Sequence, residues 1–305
     1  MATPPLYNKK RRAVLTLTLL TMVWGTTFAI VQDSFGDISP LLFAALRFAL
    51  SLAIFLSFFP AARKGVLLLF KAKTPNELKL RKNILIVGST LGFGYIFQFM
   101  GLLTTTTSKS AFLTSTTVLW TPLFARMIGF EKFTPRKIIS IIAASIGIVL
   151  LTHPYPFEGI VIGDFLTLLC ALAFGVYILW LDKTFPLVEE AIGGEVNSAI
   201  ALSAMQLTVA LFCILIVLPF TAPLHFHLTN YLIFSILYTT ILATAGSSFI
   251  QALYQKEISP TAAVLVYTLE PVVTVLIGYL ILGERMNPAE LVGCGLIISA
   301  MLVGQ

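Results

Sequence analysis

The second half of this chain repeats its first, and that constrains the fold more than any other feature of the sequence. Gln98, Glu131 and Pro135 recur as Gln251, Glu284 and Pro288 at one fixed spacing, and Thr121 with Thr274 and Leu123 with Leu276 fall in the same register. Each half runs from its glutamine through a short turn into an apolar run carrying a proline, Pro122 or Pro271. Each then closes on an acidic-basic step, Glu131-Lys132 or Glu284-Arg285. A fainter echo pairs Trp24-Gly25 with Phe174-Gly175. Apolar sequences align readily by chance; here all but one of these matches at the fixed spacing are polar residues or prolines, so the repeat reflects architecture.

The repeat is written in membrane composition. Of the 305 residues, 57% are hydrophobic and 11% charged, against roughly 25% charged in soluble domains. About ten apolar runs, near 13–31, 40–59, 84–103, 110–129, 137–152, 161–181, 198–219, 231–253, 261–282 and 289–304, approach the ~20 residues that cross hydrocarbon. The expectation is an all-α membrane protein with ten transmembrane helices in two inverted five-helix repeats, residues 1–152 and 153–305. An odd number of spans per copy inserts the two copies in opposite senses.

A net charge of +6 would suggest nucleic acid in a soluble protein, but its placement argues for a bilayer. Lys9, Lys10, Arg11 and Arg12 precede the first run. Arg63, Lys64, Lys71, Lys73, Lys79, Arg81 and Lys82 fill the link between the second and third, and Lys132, Arg136 and Lys137 follow the fourth. The turns between carry Asp33, Asp37, Glu158 and Lys109. The alternation follows the positive-inside rule and places both termini in the cytoplasm. Cys170, Cys213 and Cys294 lie in apolar runs and share no motif, as small buried hydrophobes do.

Phosphate-binding, zinc-protease and nucleophile-elbow motifs are absent, so no cofactor is expected and movement of a solute would draw on a gradient of protons or a counter-substrate, or run downhill. His153, His225 and His227 fall in turns, where two solvated histidines without carboxylates make a poor metal site. The informative residues are polar ones inside the runs, since each is costly in lipid. Glu270 stands mid-run directly before Pro271, which removes a backbone donor and exposes carbonyls. Arg47 lies two turns into the second run and suits either a substrate carboxylate or a structural anchor; Gln206 is its counterpart in the second half. Gln98 and Gln251 suit a paired role between the halves or simple interhelical bonding. Thr114, Thr117 and Thr121, and likewise Tyr267, Glu270 and Thr274, recur at helical spacing and form one polar stripe in each half. Of the aromatics Trp24, Tyr95, Trp120, Tyr177 and Trp180, the first and fourth stand at or beside the repeated aromatic-Gly step and are expected at a site. Gly88-x-x-x-Gly92 and Ala143-x-x-x-Gly147 permit close helix approach, within the chain or between copies.

Taken in order, Trp24-Gly25-Thr26-Thr27-Phe28, Pro40 with Arg47, Gly163-Asp164, Leu269-Glu270-Pro271 and Gly283-Glu284-Arg285 resemble the EamA-type members of the drug/metabolite transporter superfamily over roughly 13–304. The resemblance implies two inverted five-helix repeats, cytoplasmic termini, and export or exchange of small metabolites such as amino acids across the cell inner membrane. Many relatives carry a proline where Val118 stands, with Pro122 one turn later, so the two halves are expected to bend at inequivalent points. The leading expectation is a secondary transporter working by alternating access. Its substrate would sit among the third, fourth, eighth and ninth runs, ringed by the first, second, sixth and seventh. A membrane-embedded enzyme acting on a lipid-linked substrate is the alternative, for which clustered acids or histidines at a membrane face are missing. A sensor or scaffold would carry a soluble partner domain. Glu131 and Glu284 are expected to be structural, each at a span end beside a basic residue.

Overall fold

A computed structural model describes residues 5–151, 160–221, 223–282 and 288–304; Glu284, Arg285 and His153 lie outside them. The chain is helical: α1 Pro5–Gly25, α2 Thr27–Ser34, α3 Pro40–Phe58, α4 Pro60–Lys71, α5 Pro75–Gly101, α6 Thr107–Ser115, α7 Thr117–Met127 and α8 Pro135–Leu151. After these come α9 Ile162–Ile192, α10 Glu195–Val217, α11 Asn230–Thr240, a π-helical segment Ile241–Gly246, α12 Ser247–Tyr254, α13 Pro260–Tyr267, α14 Glu270–Leu282 and α15 Pro288–Val303. Among the described residues six stretches are long and apolar enough to cross a bilayer: Asn8–Ser34, Pro40–Phe58, Pro75–Gly101, Ile162–Ile192, Glu195–Phe220 and Asn230–Glu257. Pro260–Leu276 and Pro288–Val303 are shorter apolar helices.

The starts follow from local chemistry. Proline opens α3, α4, α5, α8, α13 and α15, where its missing N–H is no loss. Thr74, Thr106, Thr229 and Ser259 accept backbone N–H bonds as N-caps, each worth about 1 kcal/mol. The cap hydroxyls Thr106 and Ser259 stand at the same interval as Gln98 and Gln251.

The interior breaks correct one expectation. The first half bends at Thr116, between α6 and α7, and the second at Thr268-Leu269, between α13 and α14. Thr116 and Leu269 are separated by the repeat interval, so the halves bend at equivalent points despite Pro122. Threonine supplies the cause. Thr116 Oγ1 donates to Leu113 O at 2.6 Å, Thr117 Oγ1 to Thr114 O at 2.6 Å and Thr268 Oγ1 to Leu265 O at 2.7 Å. Back-bonding of this kind competes with the helix ladder and bends it. The α1–α2 break at Thr26 has the same origin, with Thr26 Oγ1 on Val23 O and Thr27 Oγ1 on Trp24 O. Pro122 instead lies inside α7 without breaking it.

Packing is reciprocal between the halves. A Cβ at Gly25 of α1 would meet Glu270 O and Val273 of α14 at 3.0 Å, while one at Gly175 of α9 would meet Trp120 of α7 at 3.0 Å. The repeated aromatic-Gly step therefore marks where the first helix of each half leans on the broken helix of the other. The glycines of Gly88-x-x-x-Gly92 face Val209, Ala210 and Cys213 of α10, and Gly147 faces Gly293 and Ile297 of α15. Both small-residue motifs thus serve contacts inside the chain. Of the six long apolar stretches, the one containing α10 is the most enclosed, with Ser198 through Leu207 buried without interruption.

Two boundaries differ from expectation. α9 continues past Leu181 to Ile192, through Lys183 and across Pro186, so Asp182 lies within a helix. The basic link after the second run contains α4, seated by Gly65 against Ala201 of α10. Arg63 donates to Leu56 O and Ser57 O, closing the end of α3.

Glu131 sits in the turn between α7 and α8. Its ion-pair partner is Lys137, one turn into α8, and not the adjacent Lys132. Its other oxygen accepts from Thr261 Oγ1 at 2.6 Å and Thr261 N at 3.3 Å, fixing the start of α13 in the other half. Burial pushes this carboxyl up, but the bonds from Lys137 and Thr261 outweigh it and hold it below the ordinary value of 4.5. A depressed folded value means the stabilisation is present above about pH 4.5 and disappears as pH falls through the lower folded value. Glu131→Gln should lower the melting free energy by about 1–3 kcal/mol at pH 7. The difference from the parent should shrink in melts recorded progressively below pH 4.5, and a pH-independent difference would remove the ionic cause.

Candidate functional site

A cavity of about 110 Å³ lies between the halves, large enough for several waters or one small polar molecule. α1 to α3, α5 to α7 and α9 contribute to its wall, as do α10, the π segment and α12 to α14. The helix pair α8 and α15 stands apart from it. Nine residues singled out by the sequence line this space: Trp24, Arg47, Gln98, Thr114, Thr117, Tyr177, Gln251, Tyr267 and Glu270.

Thr121 and Thr274 do not line it: each lies one turn beyond a wall residue, Thr117 or Glu270, on the same helix, where that helix packs on the other half. Thr121 is fully buried where α7 meets Gly175. Thr274 donates to Gly25 O and Glu270 O, both at 3.1 Å, so it secures the α1–α14 contact. Tyr95 belongs to the wall, whereas Trp120 and Trp180 do not.

Glu270 is the first residue of α14, where the aligned N–H groups favour a negative charge. Among the described residues its carboxylate makes no hydrogen bond and no ion pair. The equivalent position in the first half is Thr117, whose hydroxyl is occupied by Thr114 O and Ala171 O. Only one half brings a charge to the break.

Arg47 is 2% exposed and reaches from α3 to the π segment. Nη2 donates to Ala243 O at 2.9 Å and Tyr95 Oη at 3.2 Å, and Nε donates to Thr244 Oγ1. The guanidinium also lies 4.9 Å from the Tyr95 ring centre, within cation–π range. The wider π turn redirects local bonds: Thr244 Oγ1 donates to Thr239 O and Ser247 Oγ to Leu242 O, each five residues back. Ser247 in turn accepts from Trp24 Nε1 at 2.9 Å. π segments often mark functional sites, and this one anchors both Arg47 and Trp24. Arg47 and Glu270 share the cavity without pairing.

The two repeated amides have diverged. Gln251 is buried; its Oε1 accepts from Tyr177 Oη and its Nε2 donates to Gln255 Oε1, both at 3.0 Å. Gln255 Oε1 also accepts from Tyr267 Oη at 3.0 Å, and Gln255 Nε2 donates to Asp182 Oδ1 at 2.6 Å and Ile178 O at 2.9 Å. Gln98 is half-buried at the wall and its amide makes no such bonds among the described residues. Sequence reasoning passed over Thr244, Ser247, Gln255 and Asp182. For Asp182 a signal existed, since it follows Gln32 by the interval that separates Trp24 from Phe174.

The histidine loop is structural. Ser39 N donates to His225 O at 3.1 Å, His225 N to Ser39 Oγ at 2.7 Å and His227 N to Asp37 O at 2.7 Å, pinning this loop to the turn before α3.

Comparison with known proteins places this geometry. The profile of the EamA-like transporter family matches twice, over residues 11–153 and 161–303. An uncharacterized transporter of Archaeoglobus fulgidus is 26% identical over 297 residues, covering 97% of this chain and 86% of that protein. A solved crystal structure, 17% identical, has a TM-score of 0.72 over 96% of each chain, a likeness of fold. With both halves matched, the cavity lies between two copies of one family unit, and the chain belongs to the EamA-like transporter family.

Proposed function

We propose that the protein is a secondary active transporter that moves a small zwitterionic metabolite, an amino acid being the simplest, out of the cell or in exchange. The cavity carries the reading: it holds one guanidinium and one carboxylate that do not neutralise each other. Arg47 spends Nε and Nη2 on the protein, which leaves the two Nη1 donors for a substrate carboxylate. Glu270, free of bonds, would take an ammonium, with Trp24 and Tyr267 beside it (ring centres 5.2 Å apart) as an aromatic wall.

The reading has the chain crossing the inner membrane ten times. The broken pairs α1–α2, α6–α7 and α13–α14, and the composite α11–π–α12, each count as one span and α4 as none. Two inverted five-helix repeats and alternating access then follow, supported by the reciprocal glycine contacts. The basic residues in the first turns of α1 and around α4 support cytoplasmic termini.

Purified protein in liposomes, loaded with one unlabelled amino acid at a time, tests this by uptake of the same labelled compound. Saturable counterflow of at least one zwitterion is expected. Flux confined to compounds lacking either an ammonium or a carboxylate would overturn the two-pole reading.

A further inference from the structure

Two residues the transport reading does not use make matching bonds at opposite ends of the cavity. Gln32 of α2 donates through Nε2 to Leu102 O at 3.2 Å and Thr105 O at 3.4 Å, and its Oε1 accepts from Thr107 Oγ1. It therefore holds the turn between α5 and α6. Asp182 of α9 accepts from Gln255 Nε2 at 2.6 Å, at the turn between α12 and α13. The two are register equivalents. Gln32 and Asp182 are separated by the interval of Trp24 and Phe174, while Leu102 and Gln255 are separated by the interval of Gln98 and Gln251.

That they lie at opposite ends follows from packing alone. A Cβ on Gly163, near the start of α9, would come within 2.4 Å of Gly101 O and 2.9 Å of Thr105 N, so α9 begins at the turn that Gln32 holds. Phe174 crosses α5 at Gly94, so α9 runs antiparallel to α5 and away from that turn. At about 1.5 Å per residue, Asp182 is roughly 28 Å along α9 from Gly163. The cavity lies between. Val31 and Leu102 line it next to Gln32; Ile178, Gln251 and Tyr267 line it next to the Asp182–Gln255 bond.

Resting on the transport reading, we infer that Gln32 and Asp182 are paired latches, each holding one end of the cavity shut by tying the first helix of its repeat to the turn before the broken helix. Both are made at once here, and opening either end breaks one latch and keeps the other. They are positioning residues, since neither lines the cavity. The two ends differ in kind. Gln32 holds backbone carbonyls and a hydroxyl through its amide, whereas Asp182 holds one side-chain amide through a short bond to Oδ1. The amide it holds is itself tied to Gln251 and Tyr267, so this latch reaches the cavity wall directly.

Maleimide labelling of single-cysteine reporters in full-length, detergent-purified protein tests the inference, with Cys170, Cys213 and Cys294 replaced by alanine. Val31→Cys reports the Gln32 end and Ile178→Cys the Asp182 end; both parent residues are buried. Gln32→Ala should speed labelling at Val31→Cys by roughly tenfold and leave Ile178→Cys unchanged or slower, and Asp182→Ala should do the reverse. Asp182→Asn keeps an acceptor for Gln255, so its Ile178→Cys rate should stay within about threefold of the parent, and it folds if alanine does not. A purely structural role would speed both reporters together, and that outcome, or no change at either, overturns the latches. Labelling requires no transported molecule: flux with unmoved reporters defeats the latches alone, and opposed reporters without flux defeat the transport reading alone.

Discussion

Glu270→Gln should reduce counterflow of a zwitterionic substrate by about ten- to a hundredfold while leaving the melting temperature close to the parent's. The size follows from one charge-assisted bond, worth about 1.5–3 kcal/mol, exchanged for a neutral amide of nearly the same shape. The unchanged stability follows from geometry: the carboxylate makes no hydrogen bond or ion pair among the described residues, so its loss breaks nothing that holds the fold. Neutralising a lone carboxylate in an apolar wall even removes a desolvation cost. The split between function and stability is the informative part. If Glu270 were a structural residue, the variant would melt earlier and the surviving protein would transport normally. Parental flux from stably folded Glu270→Gln would sink the assignment of the ammonium pole. Thr117→Glu is the converse test, since it places a carboxylate at the equivalent break. Thr117 is buried with its hydroxyl occupied, so that variant should lose stability, which shows why only one half carries the charge.

Glu270 and Arg47 were legible because a charge inside an apolar run needs a cavity or a partner to exist there. The same cost argument located Gln98 and Gln251, but it could not say that one amide would be consumed by Tyr177 and Gln255 while the other stayed at the wall. That depends on Gln255, which composition places beyond the end of a span. Thr121 and Thr274 were misplaced for a definite reason. Thr117 to Thr121 and Glu270 to Thr274 each keep one face of an unbroken helix, but that face leaves the cavity within a turn and meets Gly175 or Gly25 of the other half. The breaks have a sequence signal in Thr26-Thr27 and Thr116-Thr117, adjacent hydroxyls that bond back to the preceding turn. Pro122 proved silent and the threonines bent the chain. The extension of α9 through Asp182-Lys183 was hidden because two adjacent charges read as a turn. The π segment has no sequence signature: Ile241–Gly246 is apolar and small, and only the arrival of Arg47 from α3 gives its carbonyls a use. Pairing of the halves was visible in sequence, and which atoms meet across them was not.

The π segment makes Arg47 the residue whose loss should cost the fold most, and lysine should not rescue it. Arg47→Lys keeps the charge but has one nitrogen where three groups of the protein now find separate donors: Ala243 O, Tyr95 Oη and Thr244 Oγ1. A lysine ammonium presents no planar fork and stacks less well on a ring, so the contact with Tyr95 also weakens. Ala243 O is the critical partner. It is a backbone acceptor in a segment whose ladder is already displaced to five-residue spacing, and a buried acceptor left unsatisfied costs about 1–3 kcal/mol. Arg47→Lys should therefore lower unfolding free energy by about 2–4 kcal/mol and reduce flux more than Glu270→Gln does, because it disturbs both the anchor and the carboxylate pole. Thr244→Val separates the two effects. It removes the Nε acceptor while Ala243 O stays bonded, so a loss of about 1–2 kcal/mol is expected with flux reduced less than fivefold. Combined, the two substitutions should cost less than the sum of the single ones, since each breaks the Arg47–Thr244 bond. Strict additivity in thermal melts of the double variant would mean that the bond carries no energy. The hold of Arg47 on the π segment would then rest on Ala243 O alone.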